Sequence, residues 1–84
     1  MAAPSDARIA ETLLDLARRR GRGKSFCPSE AARNLAPDWR GLMPRIRAVA
    51  GRLQEEGRLQ ARQKGRAVDP AVARGPIRLS LPPG

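Results

Sequence analysis

The sequence contains no histidine and no tyrosine, and only one cysteine (Cys27), one phenylalanine (Phe26) and one tryptophan (Trp39). Without histidine and with a single thiol, no zinc set can be assembled. Cys27 has no partner for a disulfide within the chain. A serine or cysteine nucleophile would lack its usual imidazole base. Glu55 and Glu56 are adjacent, so on a helix they point about 100° apart and cannot flank one substrate atom. Gly21 and Gly23 sit among arginines, after a helical pattern rather than in the strand-to-helix setting of a phosphate loop. No enzyme, cofactor or metal site is expected. No run approaches the roughly 18 apolar residues of a membrane span, and Met1 to Ala7 has no apolar signal-peptide region. With one thiol and no leader, a reducing cytoplasmic compartment is expected.

Negative charge is scarce too. Eight acidic residues face fifteen arginines and two lysines, a formal charge of +9. Such a balance points to a polyanionic partner, most often nucleic acid. At 84 residues the chain is expected to form one domain over 1–84, with 1–4 and 82–84 as frayed tails. A chain this short buries only about 60–65% of its unfolded surface. Ala, Leu, Ile and Val must therefore supply most of the packing.

What is present is organised around Pro44 to Gly57, PRIRAVAGRLQEEG. Ile46, Val49, Ala50 and Leu53 fall at i, i+3, i+4 and i+7, one stripe of an α-helix. Arg47 lies on one flank of that stripe, and Arg45 and Arg52 on the other. Pro44, Ala48, Gly51 and Glu55 face away from it. Gly57 stops the helix.

Before it, Ser5 caps a first helix over about Asp6 to Arg20, with Ile9, Leu13, Leu16 and Ala17 as its stripe. Ser25 to Cys27 is extended, because the residue before a proline avoids the helical region. Pro28 opens a second helix, to about Leu35. A short helical turn at Trp39 to Met43 precedes the main helix, Met43 to Glu56, with Pro44 in its first turn. Trp39 is expected to pack beneath this turn as the largest apolar contributor, its loss costing about 3–5 kcal/mol. After Gly57 the period becomes two. Leu59, Ala61 and Gln63 alternate with polar residues, as do Ile77, Leu79 and Leu81, and the two strands pair as an antiparallel hairpin. The intervening stretch, Gly65 to Gly75, is long for a hairpin loop, with Val68 and Val72 tacking it down.

Three helices followed by a two- to three-stranded wing define a mainly α winged helix-turn-helix. Three segments add to this reading: CPSEAAR (Cys27 to Arg33), WRGLMPRIR (Trp39 to Arg47) and RGPIRLSL (Arg74 to Leu81). Together they resemble a short bacterial family, domain-of-unknown-function family 3253, over roughly Ile9 to Leu81. The resemblance implies a winged-helix-like fold and no activity.

The first functional expectation is binding of duplex DNA, with the third helix entering the major groove. Arg45 and Arg47 stand near its leading end and Arg52 further along. Arg40 reaches phosphate from the preceding turn, and Arg62, Lys64 and Arg66 lie at or near the wing tip. Ala48 and Gly51 offer few base-reading groups, so binding would be largely electrostatic. The alternative is a protein-interaction module, in which an acidic helix docks on the same arginine-flanked face. RNA readers usually stack bases on exposed aromatics, and Phe26 and Trp39 are expected in the core. No spare apolar helix announces a dimer seam, so a monomer is expected.

Overall fold

A computed structural model describes residues 3–83. Helix α1 spans Asp6–Arg20, α2 Pro28–Leu35 and α3 Met43–Glu55, with a 3₁₀ turn at Trp39–Leu42 ahead of α3. Strands β1 (Gln60–Gln63), β2 (Arg66–Ala67) and β3 (Arg78–Ser80) form one antiparallel sheet in the order β2-β1-β3. Each helix boundary has a local cause. The Ser5 hydroxyl accepts from the Arg8 amide at 3.1 Å, satisfying a donor the first turn leaves free. Pro28 and Pro44 sit in the first turns of α2 and α3, where a missing N–H costs nothing. Gly57, at φ 74°, closes α3: the amides of Gly57 and Arg58 donate back to the carbonyls of Gln54 and Leu53, a Schellman ending.

The helices pack around one core. Ile9, Leu13 and Ala17 of α1 meet Ala31 and Ala32 of α2 and Ile46, Ala50 and Leu53 of α3, and the sheet closes it with Leu59, Ala61, Ile77 and Leu79. Phe26, fully buried, is the largest side chain inside. Its backbone exchanges hydrogen bonds with Leu79 at 2.8 and 2.9 Å. The strand expected at Ser25 to Cys27 is therefore a single bridge, Phe26↔Leu79. It goes no further because Cys27 is already the cap of α2 and the Ser25 carbonyl accepts from Arg78 Nη2 instead.

Trp39 packs against the core as expected, but at its edge rather than inside it. It is half-buried, with the guanidinium carbons of Arg40 and Arg33 at 4.6 and 4.8 Å from its ring centroid. Phe26 takes the central place in the core.

The stretch expected to be one long loop has structure of its own. Lys64 and Gly65 both have positive φ, 52° and 80°, and Gln63 pairs with Arg66. That is a two-residue hairpin turn of the mirror-image type that suits twisted strands, and it creates β2. Beyond it, the Asp69 carboxylate accepts from the Ala71 amide at 2.9 Å, and its carbonyl accepts from Val72 and Ala73. The tight turn this makes drives Pro70 into a fully buried position. Val68 packs on the core as expected, but Val72 is 74% exposed, and Pro70 does the anchoring in its place.

Pro70 and its neighbours lie on Gly51, which is buried rather than facing out. A Cβ at Gly51 would meet Asp69 Oδ1 at 3.4 Å, the Ala71 Cβ at 3.6 Å and Pro70 Cγ at 3.8 Å, which are ordinary contact distances. Gly51→Ala is therefore expected to fit and to raise stability by about 0.5–1 kcal/mol through helix propensity, a melting temperature several degrees higher. A lowered melting temperature would mean that the added methyl group displaces the turn at residues 69–71.

Candidate nucleic-acid interface

The arginines of α3 are engaged within the molecule. Arg45 Nη2 lies 2.7 Å from Asp6 Oδ1 and Arg52 Nη1 3.5 Å from Asp6 Oδ2. One carboxylate at the start of α1 thus engages one of the two arginine flanks expected to approach DNA. On the other flank, Arg47 reaches across the wing loop and donates to the carbonyls of Ala73 and Gly75, both at 2.6 Å. Arg40 lies over Trp39. With Gly51 under the loop, the free strip of α3 is reduced to Pro44, Ala48 and Glu55. Pro44 donates nothing, Ala48 offers a methyl group, and Glu55 repels phosphate.

Arg47 is therefore a wing anchor. Gln63 does the same from β1, its Nε2 donating to the carbonyls of Arg74 at 2.5 Å and Pro76 at 3.1 Å. Gln54 ties the end of α3 to the sheet, accepting from the Ala61 amide at 2.6 Å and donating to the Val68 carbonyl at 2.8 Å. Arg47→Met keeps the aliphatic stem and removes both charged hydrogen bonds, at a cost on the order of 1–2 kcal/mol. The expected readout is faster amide exchange at Val72 and Ala73, with α3 unchanged. Unaltered exchange in the loop would show that Arg47 does not hold it.

The wing cations are arranged differently. Cross-strand partners share a face of a sheet. Arg62 pairs with Ala67 and Gln63 with Arg66, so Arg62 and Arg66 project from opposite faces. They do not form the single tip patch that was expected. Arg66 joins Lys64 and Arg74 around a shallow depression on one side of the hairpin. Arg62 stands on the outer face, opposite Arg78 of β3. Arg74 and Arg78 were not among the residues singled out from sequence; the loop path and the β1–β3 register that place them are tertiary facts.

The ion pairs of the described residues divide the molecule. Arg19–Asp15, Arg20–Glu30, Arg45–Asp6, Arg52–Asp6 and Arg58–Glu56 all belong to the helices and the turn after α3. Arg62, Lys64, Arg66, Arg74 and Arg78 have no carboxylate partner among the described residues. The one acid after Glu56 is Asp69, whose Oδ1 is occupied by the Ala71 amide. Among the described residues, five of the twelve cations in residues 1–58 are thus paired with a carboxylate, and none of the five on the wing is. No group of three or more metal-ligating side chains occurs among the described residues, and no described helix is long and apolar enough to cross a membrane.

Three helices, the third leading into an antiparallel sheet that pairs with a bridge after the first helix, make this a winged-helix-like domain carrying a basic wing. The chain belongs to the family described as Protein of unknown function (DUF3253), whose model matches residues 6–82. No curated protein matches the sequence.

Proposed function

We infer that the protein binds double-stranded DNA by its phosphate backbone, with the wing as the principal contact and α3 lying alongside. The observation that carries this reading is the set of five wing cations without carboxylate partners on a segment with one acid. Arginine forks match phosphate oxygens bidentately. Each cation that neutralises a phosphate releases a counterion, which supplies affinity without sequence information. Arg45 and Arg52 can add contacts, because exposed ion pairs such as theirs with Asp6 are worth only about 0.2–1 kcal/mol. The free strip of Pro44, Ala48 and Glu55 favours weak sequence preference, since it offers no bidentate base reader. Duplex is favoured over single-stranded RNA because Phe26 is fully buried and the Trp39 ring is approached by two guanidiniums, leaving no open stacking platform.

The test is the salt dependence of binding to a short random duplex. Five engaged phosphates give a log–log slope near about −4.5. A slope near zero, or no binding at low salt, would contradict the reading.

A further inference from the structure

The outer face of the sheet brings two of the five wing cations together. Arg62 of β1 and Arg78 of β3 are paired directly across the ladder, and like charges in that position repel. Each guanidinium is steadied along one edge: Arg62 Nε donates to Gln60 Oε1 at 3.2 Å, and Arg78 donates to the Ser25 hydroxyl and carbonyl at 3.0 and 2.9 Å. Their remaining N–H groups have no acceptor among the described residues. The loop after α1 brings two more cations to the same place. Gly21 and Gly23, at φ 86° and 80°, turn the chain sharply, and Arg22 and Lys24 line a cleft of about 360 Å³ together with Arg62 and Arg78. Pro82 and Pro83 form an apolar wall, and no Asp or Glu lines the cleft.

We propose that this cleft is a phosphoryl-group seat, in which Arg62 and Arg78 clasp the anion between them and Lys24 and Arg22 close over it. Two guanidiniums held in register and two further cations lining the same cleft suit a group bearing two or more negative charges. An anion seated there removes the repulsion between Arg62 and Arg78. The Ser80 and Gln60 side chains beside them add neutral polar contacts. The seat deepens the DNA reading where the phosphate is a strand's, but it requires only phosphoryl chemistry.

The experiment titrates the full chain with sodium pyrophosphate at low salt, followed by amide shifts and calorimetry. The expected result is one saturable site, with shifts centred on residues 22–25, 60–62 and 78–80. Arg62→Gln and Lys24→Gln are each expected to weaken it about tenfold, while Lys64→Gln with Arg66→Gln leaves it unchanged. Lys24 makes no side-chain contact the fold needs, so its variant keeps the test open if Arg62→Gln is poorly folded. Shifts spread over every cation without saturation, or equal binding by the Arg62 and Lys24 variants, would overturn the seat. Adding a short duplex to the pyrophosphate complex then separates the sources. Displacement assigns the seat to a strand phosphate, and simultaneous binding assigns it to a small phosphorylated ligand; both keep the seat. Pyrophosphate binding without duplex binding would remove the DNA reading alone, and the reverse would remove the seat alone.

Discussion

Phe26→Ala is expected to leave much of the population unfolded at room temperature. The ring is fully buried, and its backbone bridge to Leu79 is what joins the sheet to the α1–α2 connection. Emptying such a site costs about 3–5 kcal/mol through lost transfer energy and a residual cavity. Small domains hold only about 5–15 kcal/mol in total, and a core with a single large aromatic belongs at the low end. The measurement is urea unfolding followed by far-ultraviolet circular dichroism. Trp39→Ala serves as the comparison. Its side chain packs at the edge of the core and is only partly exposed, so its loss is expected to cost less than that of Phe26, the cation–π contacts with Arg33 and Arg40 adding only about 0.5–1 kcal/mol each. A larger loss for Trp39→Ala than for Phe26→Ala would reverse the assignment of the core.

The second large effect concerns binding. The triple variant Lys64→Gln, Arg66→Gln, Arg74→Gln removes the cations on one side of the hairpin and is expected to reduce the salt slope by about 2.7. Affinity at low salt should fall roughly a hundredfold, and by a similar factor on any duplex sequence. The stability of the fold should hardly change, because all three side chains are exposed and have no ion pair among the described residues. The comparison is Arg45→Gln with Arg52→Gln, which removes two cations already shared with Asp6. It should move the slope by less than about one phosphate's worth. If the helix variant weakens binding more than the wing variant, α3 is the principal contact.

The contrast between the two flanks of α3 shows how far local pattern reaches. The helices were legible because their signals are local: Ser5 as a cap, Pro28 and Pro44 in first turns, Gly57 as a stop, and stripes at helical spacing. The pairing of β1 with β3 followed from alternation in the same way. β2 was not legible, because its turn is Lys64–Gly65 rather than the Asn-Gly or Asp-Gly that marks such turns most strongly. The burial of Gly51 was hidden for a different reason. A glycine far from the apolar stripe reads as solvent-facing, and only the fold of residues 69–73 brings Pro70 onto it. The candidate site was half legible for the same physical cause. That arginines flank α3 and populate the wing is plain from spacing. That Asp6, 39 residues before Arg45, engages one flank, and that Arg78 comes to face Arg62, depends on tertiary placement that no local pattern encodes.

We propose that the wing, more than α3, meets nucleic acid. Amide-shift titration of the labelled protein with a short random duplex, at low and then moderate salt, tests it most directly. The largest shifts are expected at residues 62–66 and 74–78, smaller ones along α3, and all of them fading with salt. Shifts concentrated on residues 44–52 with a silent wing, or no shifts at low salt, would contradict it.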